Sequence, residues 1–159
     1  MIQVSGLTKQ YNNGQGPISV LRGVDVSLSP GEIASIMGPS GSGKSTLLFI
    51  LGLLLAPTSG VYRVLGENVF KLTRKAQAQF RRQFVGFVFQ SCNLAENTTV
   101  YENIEMPLIY AGVRPKDRRQ MIETALARTN LLHRINQRSN LLSGGEQQRV
   151  AVARSRPVT

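Results

Sequence analysis

The sequence has no tryptophan, a single cysteine and a single histidine. One thiol, Cys92, excludes an internal disulfide and fits a reducing compartment. Acidic residues are scarce as well. Nine Asp and Glu face nineteen Lys and Arg, a net charge of +10, and no two carboxylates present themselves as an acid–base couple. Long apolar runs are missing: the longest, Leu47 to Ala56, is about half of the roughly 20 residues a membrane span needs, and reads as a buried helix. The N-terminus lacks the basic-then-apolar layout of a signal peptide. A length of 159 residues allows one domain, or one domain cut short, and excludes two full ones.

Hydrophobic residues make up 42% of the chain and glycine adds 15 positions, enough for a core and against disorder or collagen-like repeats. The positive charge is uneven. Residues 1–67 carry a net +1, residues 68–113 a net +2, and residues 114–159, with ten basic and three acidic groups, a net +7. Such a stretch invites a nucleic-acid reading, but no aromatic platform is interleaved among its arginines. Nucleic acid is therefore not expected as the main ligand.

Turn signals alternate with short apolar stretches in the first half. Val4–Leu7 and Ile18–Leu28 read as strands around an Asn12–Pro17 loop, and Ser29-Pro-Gly reads as a turn. Glu32–Met37 reads as a short apolar strand, followed by a glycine-rich loop and a helix from near Gly43. Val61–Leu65 is a further expected strand, Thr73–Arg82 a solvated helix, and Phe84–Phe89 the strongest strand signal of the second half. Residues 99–135 read as helices broken at Pro107 and at Gly112–Pro115. Ser143 then caps a last helix, Gly144–Arg154.

Two segments carry chemistry. Gly38-Pro39-Ser40-Gly41-Ser42-Gly43-Lys44-Ser45 matches G-x-x-x-x-G-K-[ST] between an expected strand and an expected helix. Glycines there let backbone N–H groups turn toward phosphate oxygens, and the helix N-terminus adds positive partial charge. Lys44 would reach the β- and γ-phosphates, and the Ser45 hydroxyl would ligate Mg²⁺. About a hundred residues on stands Leu142-Ser-Gly-Gly-Glu-Gln-Gln-Arg149. Alone, its Ser-Gly-Gly is no more than a helix cap and hinge.

Together the two segments resemble the ATP-binding subunits of ABC transporters, and the resemblance runs through residues 1–154. The wording of the segments, with Asn103-Ile-Glu-Met-Pro-Leu-Ile-Tyr-Ala-Gly112, is closest to the lipoprotein-releasing and macrolide-exporter branch. The resemblance implies an α/β phosphate-loop fold with a small antiparallel β part and a helical subdomain. Its expected parts are a phosphate-loop and β core at 1–90, a helical subdomain at 91–141 and the signature helix at 142–154. It implies ATP and Mg²⁺ as cofactors. Tyr11 would stack on adenine, Gly38 through Thr46 would cradle the phosphates, and Ser45 and Gln90 would hold Mg²⁺. Lys44 would act on the γ-phosphate and Gln90 on the attacking water.

The resemblance further implies that two such domains pair head to tail, so that Ser143, Gly144 and Gly145 face a phosphate bound to the partner. It also implies a permease partner, a place on the cytoplasmic face of the cell membrane, and docking through residues 91–113. The apolar residues of that segment, Val100, Ile104, Met106, Leu108 and Ile109, could equally be core. The family continues past the signature with an apolar strand ending in Asp, a catalytic Glu and later a switch His. Pro157, in Arg154-Ser-Arg-Pro-Val-Thr159, departs from that pattern, as expected of a truncated or frame-shifted product. Such a chain would bind nucleotide weakly and not hydrolyse it. A nucleotide- or permease-binding fragment without ATPase activity, and a nucleic-acid-handling relative, are the rival readings. His133 and Cys92 read as unremarkable, and Glu146 as a first-turn residue favoured by the helix dipole.

Overall fold

A computed structural model describes residues 1–14 and 16–155, which group into two compact units, one up to Arg81 and one from Arg82 onward. In the first unit, strands β1 (Ile2–Asn12) and β2 (Pro17–Leu28) form an antiparallel hairpin. Strand β3 (Ser59–Val64) pairs antiparallel with the other edge of β1, and the two-residue β4 (Glu67–Asn68) pairs with β3. The sheet order is β2-β1-β3-β4. Period-two alternation turns Val4, Leu21 and Tyr62 inward onto helix α1 (Lys44–Leu51), whose Leu47 and Ile50 share one face. Leu7, Leu53, Val69 and Phe80 complete this core.

Helix α1 is shorter than the apolar run suggests. The chain leaves it at Gly52, Leu53 takes a left-handed φ of 58°, and Leu48, Phe49 and Leu54 stay substantially exposed. The frayed end is secured by side chains. Tyr62 donates its hydroxyl to the Leu51 carbonyl at 2.9 Å, and Arg81 donates to the Leu53 carbonyl at 2.9 Å. Burial pushes the Tyr62 phenol up to about 12.

Two expected strands are absent. Residues 32–38 and 85–89 carry no regular structure, and Ile33 and Met37 are 96% and 87% exposed. A strand exists only with a hydrogen-bonded neighbour, and neither run finds one among the described residues. Phe87 and Phe89 instead stack on each other, centroids 5.5 Å apart.

Helix α2 (Arg74–Phe84) occupies the expected solvated segment. The second unit is built on α3 (Val100–Tyr110), α4 (Pro115–Arg128) and α5 (Gly144–Ser155) around Val100, Ile104, Leu108, Ile122, Leu126, Leu131 and Val150. Pro107 does not break α3: the helix continues through it and stops at Ala111–Gly112. Pro115 is the first residue of α4, where its missing N–H costs nothing. Asn103, 1% exposed, is the polar hub of this unit. Its amide donates to Thr98 Oγ1 at 2.7 Å and its carbonyl accepts from the Ala95 N–H at 2.8 Å. The expectation about the tail from Arg156 to Thr159 falls outside the described residues.

Candidate functional site

Gly38 to Thr46 form an irregular loop running into α1. Gly38, Gly41 and Gly43 have φ of 156°, 79° and 91°, conformations a side chain would strain. Gly43 has a second constraint: a Cβ there would stand 3.1 Å from the Val20 carbonyl oxygen, against β2. Lys44 folds back over the loop and donates its ammonium to the Gly38 and Pro39 carbonyls at 2.8 and 2.7 Å. The Ser42 N–H closes the turn on the Pro39 carbonyl at 3.3 Å.

The N-terminus of α1 differs from those of α3 and α5. No side chain caps it and its first turn has no acidic residue, whereas α3 and α5 each have a Glu in a capping box. First-turn N–H groups lacking carbonyl partners, a lysine ammonium and a positive helix end together suit a polyanion. This donor set fits the phosphates of a nucleotide. For Mg²⁺ it offers only the Ser45 hydroxyl, and no group of three or more His, Cys, Asp or Glu is gathered among the described residues. The strand expected ahead of the loop is the irregular 32–38 segment.

Tyr11 lies in the same unit near the end of β1, opposite Ile18 of β2. The residue is 42% exposed, and the Lys9 ammonium sits 5.0 Å from the ring centroid. A groove of about 400 Å³ on the sheet is lined by strand residues such as Gln3, Asp25 and Arg63 and shares none with the glycine-rich loop.

The second unit holds Gln90 and the Ser143–Gly145 segment. Gln90 is exposed at the start of a turn in which Cys92 and Asn93 take left-handed φ of 57° and 44°. Cys92 is buried, and His133 is exposed in a short turn at Leu132–Arg134. Ser143 and Glu146 form a capping box: Glu146 accepts from the Ser143 hydroxyl at 2.7 Å and its backbone N–H at 2.9 Å. Those two bonds, the hydroxyl first, and then Arg134 at 3.0 Å hold the Glu146 carboxyl down to about 2. Gly144 and Gly145 have no internal need of glycine. A Cβ on Gly144 would meet nothing within 4 Å, and one on Gly145 only the Arg149 guanidinium at 3.8 Å.

Sequence reasoning passed over Arg154. Its guanidinium donates to the carbonyls of Cys92 and Asn93, 2.7 Å each, across a separation of more than sixty residues. No local pattern could have signalled it.

The profile of the ABC transporter family matches residues 21–156. The macrolide export ATP-binding/permease protein MacB of Azoarcus sp. (strain BH72) is 45% identical over 155 residues, 98% of this chain and 24% of the relative. The lipoprotein-releasing system ATP-binding protein LolD of Geobacter metallireducens is 44% identical, covering 98% of this chain and 69% of the relative. Among solved structures, a dimeric post-hydrolysis state of the ATP-binding cassette MJ0796 bound to ADP and Pi aligns with a TM-score of 0.88 at 40% identity. That alignment covers 98% of this chain and 68% of the cassette. The chain thus spans about a quarter of the macrolide exporter and about two thirds of the other two.

Proposed function

The chain belongs to the ABC transporter family of ATP-binding domains, and from that premise we propose that it binds ATP·Mg²⁺ at Gly38–Thr46 to drive a membrane permease. The observation that carries this reading is the glycine-rich loop itself, with three left-handed glycines, a lysine ammonium over the loop and an uncapped helix end without acid. Lys44 exchanges its two loop carbonyls for phosphate oxygens, a charge-assisted trade. Ser45 and Gln90 are the side chains that would hold Mg²⁺. When bound, Mg²⁺ would neutralise phosphate charge, and the Gln90 amide would orient the attacking water. Tyr11 offers its exposed ring to adenine.

Ser143, Gly144 and Gly145 face a phosphate held by a second copy. What supports this is a pair of helical glycines that nothing inside the chain requires, although glycine weakens a helix. Their small size leaves the helix end open to close approach by an anion. No helix of the described residues is long and apolar enough to cross a membrane. In this reading the chain works at the cytoplasmic membrane face. In the basic 114–154 region Arg114, Arg118, Arg119 and Arg134 are paired with carboxylates.

Competition against a fluorescent ATP analogue in Mg²⁺ tests the site. ATP and ADP should displace the analogue and AMP should not, because the loop reads the outer phosphates. Equal displacement by AMP would contradict it.

A further inference from the structure

We propose that Arg154 is a positioning residue for Gln90, holding from the last turn of α5 the backbone turn that directly follows the glutamine. The turn needs holding. Cys92 and Asn93 are consecutive non-glycine residues in the left-handed region, a pairing that L side chains rarely adopt. Inside the turn, the Cys92 N–H donates to the Phe89 carbonyl at 3.0 Å and the Asn93 N–H to the Ser91 carbonyl at 2.6 Å. Ser91 Oγ donates to Asn93 Oδ1 at 2.7 Å. These bonds use the N–H groups and leave the Cys92 and Asn93 carbonyls, which Arg154 takes with its two terminal nitrogens. A rigid planar fork suits two neighbouring carbonyls as a single ammonium does not.

The charge of Arg154 has no carboxylate to satisfy it among the described residues. Burial lowers its pKa, so the two carbonyls compensate a guanidinium partly withdrawn from water. At the opposite end of α5 stand the Ser143–Glu146 capping box and the two glycines. Along the helix Val150, Ala151 and Ala153 are buried, which keeps α5 fixed in its own unit while Arg154 reaches the turn. Gln90 is therefore displayed from a turn whose shape depends on the helix that bears the phosphate-facing glycines. This inference rests on the proposed role of Gln90 at Mg²⁺.

The test measures, in the 159-residue chain, ATP affinity with Mg²⁺ and with EDTA, together with amide exchange across residues 90–93. Gln90→Ala, Arg154→Gln and Arg154→Lys are compared with the parent, with helicity followed by circular dichroism. Arg154→Gln should lose the Mg²⁺-dependent gain in affinity as fully as Gln90→Ala, keep its EDTA affinity within about twofold, and exchange the Cys92 and Asn93 amides about tenfold faster. Arg154→Lys, which keeps a cation able to reach one carbonyl, should recover part of both. If Gln90→Ala loses the Mg²⁺ gain while Arg154→Gln keeps it, the positioning role is overturned and the Gln90 reading stands. If Gln90→Ala keeps the gain, the Gln90 reading fails and the proposal falls with it. Loss of helicity in both Arg154 variants would make the residue a structural one and overturn the proposal.

Discussion

Tyr11 shows how a single side chain divides its work. The pairing of β1 with β2 fixes its backbone, while its ring stays partly exposed with the Lys9 ammonium against it. A partly exposed ring can still take a planar partner, and the hydroxyl is not needed for stacking. Tyr11→Ala should weaken ATP binding by about 1–3 kcal/mol, the usual range for stacking on a base. Tyr11→Phe should bind nearly as well as the parent. Calorimetric titration of the three proteins distinguishes them, and equal affinity for the alanine variant would remove Tyr11 from the site. Cys92, by contrast, is buried and is no handle for surface labelling or cross-linking.

Among the elements, α5 concentrates the site's conflicts. Gly144 lies in its first turn with no neighbour that forbids a methyl group. Gly144→Ala should therefore stabilise the chain by up to about 1 kcal/mol, raising the melting temperature slightly, while weakening ATP-driven pairing of two copies in sedimentation. A variant that melts lower, or pairs as well as the parent, would contradict the phosphate-facing role. The same helix predicts a pH dependence. Glu146 is held at about 2 in the fold, below the ordinary value of 4.5, so its contribution is present above pH 4.5 and lost as pH falls toward 2. Thermal melts from pH 6 to pH 3 should show a shallower fall below 4.5 for Glu146→Gln than for the parent. Parallel curves would show that the capping box carries no linked proton.

What could be read in the sequence divides along the same line. The glycine-rich loop and the Ser143 cap are local, since their geometry is set within a few residues, and they stand where expected. Strand β1 runs well beyond the expected Val4–Leu7 because it pairs with β2 and β3. Residues 32–37 and 84–89 have strand composition, but pairing depends on a neighbour that composition does not specify. Pro107 was misleading for a related reason: packing of Ile104 and Leu108 holds α3 through a residue that would break a free helix. The Arg154 contacts join distant positions and leave no periodic trace.

At the scale of the whole molecule, the apolar residues of α3 divide between core and surface. Val100, Ile104 and Leu108 are buried, whereas Met106, Ile109 and Tyr110, spaced i, i+3, i+4, are 42%, 46% and 73% exposed. That exposed apolar face is the candidate docking surface proposed within residues 91–113, where other exposed positions, such as Ser91 and Glu102, are polar. Met106→Ser with Tyr110→Ser should leave ATP affinity and melting temperature unchanged while reducing recovery of a co-expressed permease in affinity purification. Undiminished recovery would place the docking face elsewhere.

The central claim is that ATP·Mg²⁺ is held at the glycine-rich loop through the Lys44 ammonium, and the most direct measurement is an equilibrium ATP titration in Mg²⁺ of the parent and Lys44→Ala. Removing a charge-assisted contact should cost roughly 1.5–3 kcal/mol, about one to two orders of magnitude in Kd, with the far-ultraviolet spectrum unchanged. Equal affinity of the two proteins would contradict the account.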